Sequence, residues 1–137
     1  MFGTKVKLLL AAVIGSVAFV AGGSGASAAV TSFSVDGNAT LQSDGSVLVT
    51  GTLTCTAGDT AFVFSEVLQS KGQLIADGSG DSALITCTGS PQAWSVDVTA
   101  FIGTYKPGKA SSASEGIDET DGTFSPVVNQ TLHLKNK

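Results

Sequence analysis

Arginine is absent from this 137-residue chain, histidine occurs only at His133, and cysteine only at Cys55 and Cys87. Each scarcity excludes a class of function. Nucleic acid and anionic membranes call for clustered positive charge, and seven basic residues against eleven acids do not supply it. A zinc centre needs more Cys or His ligands than these three residues offer. A Ser-His-Asp triad has a single candidate base in His133, and no G-x-S-x-G nucleophile elbow is present. Paired carboxylates of the glycosidase kind occur only in stretches of loop composition, with no cleft signal beside them. The chain therefore reads as non-enzymatic, with no cofactor and no nucleic-acid partner.

Long apolar runs are equally scarce. One stands out, Leu8 to Val20, thirteen residues interrupted only by Gly15 and Ser16. A bilayer span takes about 20 residues. Lys5 and Lys7 precede this run, and Ala26-Ser27-Ala28 follows it as an A-x-A cleavage pattern. That is the layout of an export signal, cut after Ala28 or, alternatively, Ala29. No cysteine directly follows the run, so a lipoprotein anchor has no attachment point. The expected organisation is a signal over 1–28 and one secreted domain over 29–137, without membrane contact after cleavage. Removing Lys5 and Lys7 leaves five lysines against eleven acids, a net charge of −6.

Outside the cell, an even pair of cysteines reads as a disulfide. Joining Cys55 to Cys87 closes a loop of about 33 residues, worth roughly 3.5–4 kcal/mol by chain entropy.

What the chain does contain is alternation. Ser46 to Thr56 alternates for eleven residues, with Val47, Val49, Gly51, Leu53 and Cys55 on one parity. Leu48 and the threonines take the other, the pattern of a half-buried strand that delivers a cysteine to the core. Shorter strands are expected over Val30–Val35 and Ala39–Leu41. Ala57-Gly58-Asp59 should form a hairpin or short corner. In Ser82–Thr88, Ala83, Ile85 and Cys87 share a face. In Gln92–Thr99, Trp94, Val96 and Val98 point inward. Lys109 to Gly116 is small and polar, a weak strand in tight space or at an edge. In the last strand Val128, Gln130, Leu132 and Leu134 oppose Val127, Asn129, Thr131 and His133. Asp77 to Asp81 and Glu115 to Gly122 read as loops. No stretch beyond the signal shows sustained helical periodicity.

Seven to eight short strands bounded by Gly, Pro or Asp predict an all-β sandwich or small barrel. An immunoglobulin-like antiparallel sandwich is the preferred form. Trp94 follows Cys87 here instead of lying between the cysteines, so the disulfide should not join the usual strand pair.

The run Asp44-Gly45-Ser46-Val47 into Gly51-Thr52-Leu53-Thr54-Cys55 resembles a family of small secreted actinobacterial proteins of uncharacterised function. Cys87, Trp94, Val96 and Pro107-Gly108-Lys109-Ala110 carry the same resemblance. It implies a one-disulfide, immunoglobulin-like sandwich. Size and sheet pattern are also similar to the neocarzinostatin-type apoproteins, but those carry two disulfides, so no ligand pocket is transferred.

Thr60 to Ser70 leaves two readings open. Either Val63, Ser65 and Val67 face the core, the preferred choice, or Phe62, Phe64 and Leu68 do. In the first case Phe62, Phe64 and Leu68 form an exposed apolar strip, the kind of feature that marks a partner surface. Tyr105, in the segment Ile102 to Pro107, is the candidate anchor of a rigid exposed loop. Asp77, Ser79 and Asp81 have spacing that could offer oxygens to Ca²⁺, and Glu115, Asp118, Glu119 and Asp121 form a second acidic set. A solvated turn is the favoured reading of both. The expected function is a secreted, non-catalytic module that binds an extracellular protein, glycan or cell-wall partner. The alternatives are an inhibitor of a hydrolase and a small-ligand carrier with a pocket near Trp94.

Overall fold

The computed structural model describes residues 29–137, and the export signal expected over 1–28 lies outside them. The described chain forms strands β1 (Val30–Val35), β2 (Asn38–Leu41), β3 (Val47–Cys55), β4 (Thr60–Lys71) and β5 (Leu74–Asp81). They are followed by β6 (Ile85–Thr86), β7 (Gln92–Ile102), β8 (Gly108–Asp118), β9 (Thr123–Phe124) and β10 (Val128–Asn136). Among the described residues there is no helix.

The strands pair in the order β4-β5-β7-β3-β2-β10-β8, and β8 pairs back onto β4 from Ala61↔Asp118 to Leu68↔Ser111. The expected sandwich is thus, by its pairing, one closed ring of seven strands. Two features close it. Long β4 takes β5 on one edge and β8 on the other, while short β2 bridges antiparallel β3 to parallel β10. Closure removes the unpaired edges that an open sheet exposes. Strand β1 adds to β3 over Gly51–Cys55, on the same edge that β2 uses lower down.

Strand β3 sits at the centre of this arrangement. Val47, Val49 and Leu53 have no exposure and Cys55 has 1%, each large apolar side chain contributing about 1.5–3 kcal/mol by leaving water. Gly51 lies opposite Trp94. A Cβ there would run into the Ser34 carbonyl oxygen and the Trp94 ring. The indole then stacks on Phe33, with ring centroids 5.4 Å apart. One glycine in the strand makes room for the largest side chain of the core.

On β4 the smaller set faces inward: Val63, Ser65 and Val67 are fully buried. Ser65 is satisfied there by a 2.8 Å hydroxyl–hydroxyl bond to Ser114 of β8. The small residues Ala110, Ser112, Ser114 and Gly116 of β8 are buried too. Gly116 faces Phe33, which a Cβ there would approach to 3.3 Å. The KASSASEG segment is an interior strand whose small side chains admit bulk from elsewhere.

Several expectations need correction. Asp77 to Asp81 is no loop, because it belongs to β5. Its Gly78 and Gly80 lie against the Thr99 and Asp97 carbonyls of β7, where a Cβ would collide, so these glycines serve close strand approach and not a turn. The strand expected over Ser82–Thr88 shrinks to β6, and Ala83 is exposed. There Ser82 bonds Val63 through both backbone and hydroxyl, and Cys87 bonds the 58–59 corner, leaving few groups for a ladder. Ala57-Gly58-Asp59 is a corner, since β3 and β4 do not pair. Glu115 and Asp118 are not in a solvated loop: both lie in β8 with no exposure, because pairing with β4 continues through Asp118.

The Cys55–Cys87 disulfide, with Cα atoms 5.4 Å apart, ties the end of β3 to the segment after β6. Gly58 N–H donates to Cys87 O at 2.9 Å, and Cys87 N–H to Asp59 O at 2.8 Å. The staple therefore fixes one end of the ring.

Candidate functional site

The outward parity of β4 carries Phe62, Phe64, Glu66 and Leu68. Both phenylalanines are half-buried, Phe62 opposite Ile117 and Phe64 opposite Glu115, while Leu68 is 45% exposed opposite Ser111. This is no continuous bare strip, because the neighbouring strands cover the aromatic rings in part. Leu68 and Glu66 instead line a groove of about 510 Å³ with Asp77, Ser111, Ser112, Ala113 and Asn129.

Tyr105 is not an exposed anchor. It is 2% exposed, and its hydroxyl donates to the Val67 carbonyl at 2.7 Å. Burial, followed by the charges of Asp77 and Glu66, pushes the phenol above its ordinary range. The same loop is held by buried Gln69, whose Nε2 donates to the carbonyls of Lys106 and Lys109 at 2.8 and 3.1 Å. Its Oε1 accepts from Lys106 N–H at 2.8 Å. Lys71 Nζ adds a bond to Pro107 O at 3.1 Å. Three side chains of β4 and the loop thus pin residues 105–109 against the ring.

What this end of the ring does expose is a set of residues that alternation alone did not single out. Leu74 and Ile75 open β5 at 68% and 54% exposure, and Phe101 and Ile102 close β7 at 55% and 56%. The two strands pair here, with Asp77 beside Ile102 and the Gly103 backbone packed on Ile75. Two apolar residues in succession on a strand must send one outward, which is the sequence signal that could have marked Leu74-Ile75 and Phe101-Ile102. Their meeting needed the β5–β7 pairing. Lys71 is the register partner of Leu74, and Lys106 follows in the pinned loop.

The acidic candidates are redistributed. Asp77, Ser79 and Asp81 are strung along an extended strand, whose residues two apart lie about 6.8 Å from each other, so they cannot share one ion. Asp77 is nearly buried, while exposed Asp81 is held above the ordinary carboxylate range by desolvation. Of the second set, Glu119 is exposed. Glu115 points away from Asp118 by strand parity. Neither Glu115 carboxyl oxygen has a hydrogen-bond partner, and burial pushes the group up to about 7. Asp118 and Asp121 remain together, and the fold brings Asp59 to them from the β3–β4 corner.

His133 is exposed on β10 opposite Lys109, so its register partner is a cation and not an orienting carboxylate. Trp94 is 4% exposed beneath Phe33. A pocket of about 230 Å³ beside Phe33 is lined by Val30, Thr31, Ser32, Ser125, Pro126 and Val128.

Comparison with curated proteins finds no match. Among solved structures, murine CRIg is similar at 11% identity and a TM-score of 0.35, over 77% of this chain and 97% of that one. Residues 29–129 match the family described as "Family of unknown function (DUF6299)", and the chain belongs to that family.

Proposed function

We propose that this protein is a secreted, non-catalytic binding module that engages an extracellular protein through the apolar rim Leu74, Ile75, Phe101 and Ile102. One observation carries this reading: four large apolar side chains, each more than half exposed, are gathered by one strand pair. Grouped exposed apolar side chains at one place mark interaction surfaces, whereas scattered ones need no explanation. The pinned 105–109 loop beside the rim supports it too, because a rigid surface loses little entropy on binding. Three of the four side chains are aliphatic and lysines flank them, which favours a protein with an apolar patch and acidic border over a glycan, which needs dense hydrogen-bonding groups. The disulfide is compatible with an extracellular location, and among the described residues no helix is long and apolar enough to cross a membrane.

An immunoglobulin-like sandwich, flattened from the ring, is the form we infer for the module. A hydrolase is one class of partner that a pinned loop suits, with Phe101 and Ile102 in the role first given to Tyr105.

The test uses the purified protein as bait against extracellular proteins and, separately, purified cell-wall glycan. A retained protein lost with the double variant Ile75→Ser, Phe101→Ser is the expected result. Equal retention by that variant, or binding to glycan alone, would reject the rim as the contact surface.

A further inference from the structure

The β3–β4 corner and the turn after β8 meet beside the disulfide. There Asp59, Asp118 and Asp121 each place a carboxylate oxygen within 4.8 Å of the others. Proximity of acids alone is common on protein surfaces, but Asp118 is not on the surface. It has no exposure. Its Oδ1 accepts from the N–H groups of Thr120 and Asp121 at 2.9 and 3.2 Å, while Oδ2 has no hydrogen-bond partner. A carboxylate oxygen stripped of water with no donor is costly, and a proton, a water or a bound ion is what relieves it.

The surroundings hold the other two acids in place. Asp121 Oδ1 accepts from Thr123 N–H at 3.1 Å and from its hydroxyl at 2.7 Å. The Asp59 backbone bonds Thr56 O at 3.0 Å and Cys87 N–H at 2.8 Å.

We propose that Asp59, Asp118 and Asp121 form a Ca²⁺-binding site that ties the β3–β4 corner to the turn following β8. Calcium fits the donor chemistry, which is oxygen only. Bonds of about 2.4 Å let two ligands of one Ca²⁺ stand up to about 4.8 Å apart, so the three carboxylates lie close enough to share one ion. Mg²⁺, with bonds of about 2.1 Å and near-ideal octahedral demands, suits a loose three-acid set less well. Asp59 is half-buried and Asp121 exposed, so water can reach the remaining coordination positions. The ion would give Asp118 Oδ2 its missing partner and relieve the repulsion among the three acids.

Thermal unfolding of the disulfide-intact protein, with EDTA or with Ca²⁺, tests this. At a tenfold excess over the dissociation constant, one site raises the midpoint by about 5 °C, with half-saturation expected at about 10⁻⁴–10⁻³ M as in other extracellular modules. NaCl at matched ionic strength should leave the midpoint where EDTA does. Asp59→Asn keeps the corner's backbone bonds and removes one repelling charge, so this variant should match or exceed the EDTA midpoint of the parent while losing the Ca²⁺ response. Asp121→Asn, which keeps an acceptor for Thr123, should also lose it. No calcium-specific shift at about 5 mM together with no heat of binding in calorimetry would overturn the site, as would an undiminished response in both variants.

Discussion

The two ends of the strand ring solve opposite problems. One end gathers negative charge: Asp59, Asp118, Glu119 and Asp121 lie where β3, β4 and β8 meet the Cys55–Cys87 link. The other end gathers the larger exposed apolar group, Leu74, Ile75, Phe101 and Ile102, against Leu84 and Phe124 toward the acidic end. Every lysine of the described chain also lies toward that second end by strand register, at 71, 106, 109, 135 and 137. At the acidic end a covalent link fixes the corner that carries Asp59. The apolar end has no such link and is held by polar side chains bonded to backbone, those of Gln69, Tyr105 and Lys71. The contrast suggests that rigidity was built at both ends by different means, and it can be broken at either.

The largest effect should come from the covalent end. Replacing Cys55 and Cys87 together by Ala should cost about 3.5–4 kcal/mol in urea unfolding, and hydrogen exchange should rise first at residues 56–59 and 87–91. A loss spread evenly over both ends would show that the disulfide does not act locally.

Next is Glu115, whose buried carboxyl lies on the outward face of β8 near the acidic end. Its folded pKa of about 7 exceeds the 4.5 of the unfolded chain, so the folded state binds the proton more tightly. The contribution of this carboxyl to stability is therefore fully present below about pH 4.5, is lost as the pH rises to about 7, and stays absent above that. Glu115→Gln should remove this group's part of the slope and raise stability at pH 8 by about 2–3 kcal/mol. An unchanged pH profile in the variant would place the titration elsewhere.

At the apolar end, Gln69→Leu leaves the Lys106 amide and two carbonyls without partners and should cost about 2 kcal/mol. Amide exchange should quicken within 103–109 and leave the disulfide end unaltered. The smallest change should follow Ile75→Ser, within about 0.5 kcal/mol in stability because the side chain is already in water. A loss near 2 kcal/mol would instead make Ile75 part of the core.

How much of this was legible in the residues varies by element. Strands β3, β7 and β10 could be read, faces included, since one side of each packs on apolar neighbours and the period of two survives. For β4 the alternation leaves both faces open, with Val63, Ser65 and Val67 the preferred inward set. The structure places those three inside, and the Ser65–Ser114 bond shows how the polar member is tolerated. Strand β5 and the length of β8 were hidden, because their glycines and serines look like loop composition. Small residues were selected there for close strand approach, a property of the partner strand. Local sequence reads Tyr105 as an exposed anchor because its acceptor, the Val67 carbonyl, lies 38 residues away.

Composition and alternation alone determined the all-β class, the disulfide and the inward faces of the strongest strands. Side-chain parity is a local property of extended backbone, and two cysteines in an oxidising setting have one pairing. Only the tertiary structure decided that the strands close into a ring, that Glu115 and Asp118 are buried, and that Asp59 joins Asp118 and Asp121. The same holds for the apolar rim. Each of those depends on which strand lies beside which, and that adjacency is set by packing of the whole core instead of by any single stretch.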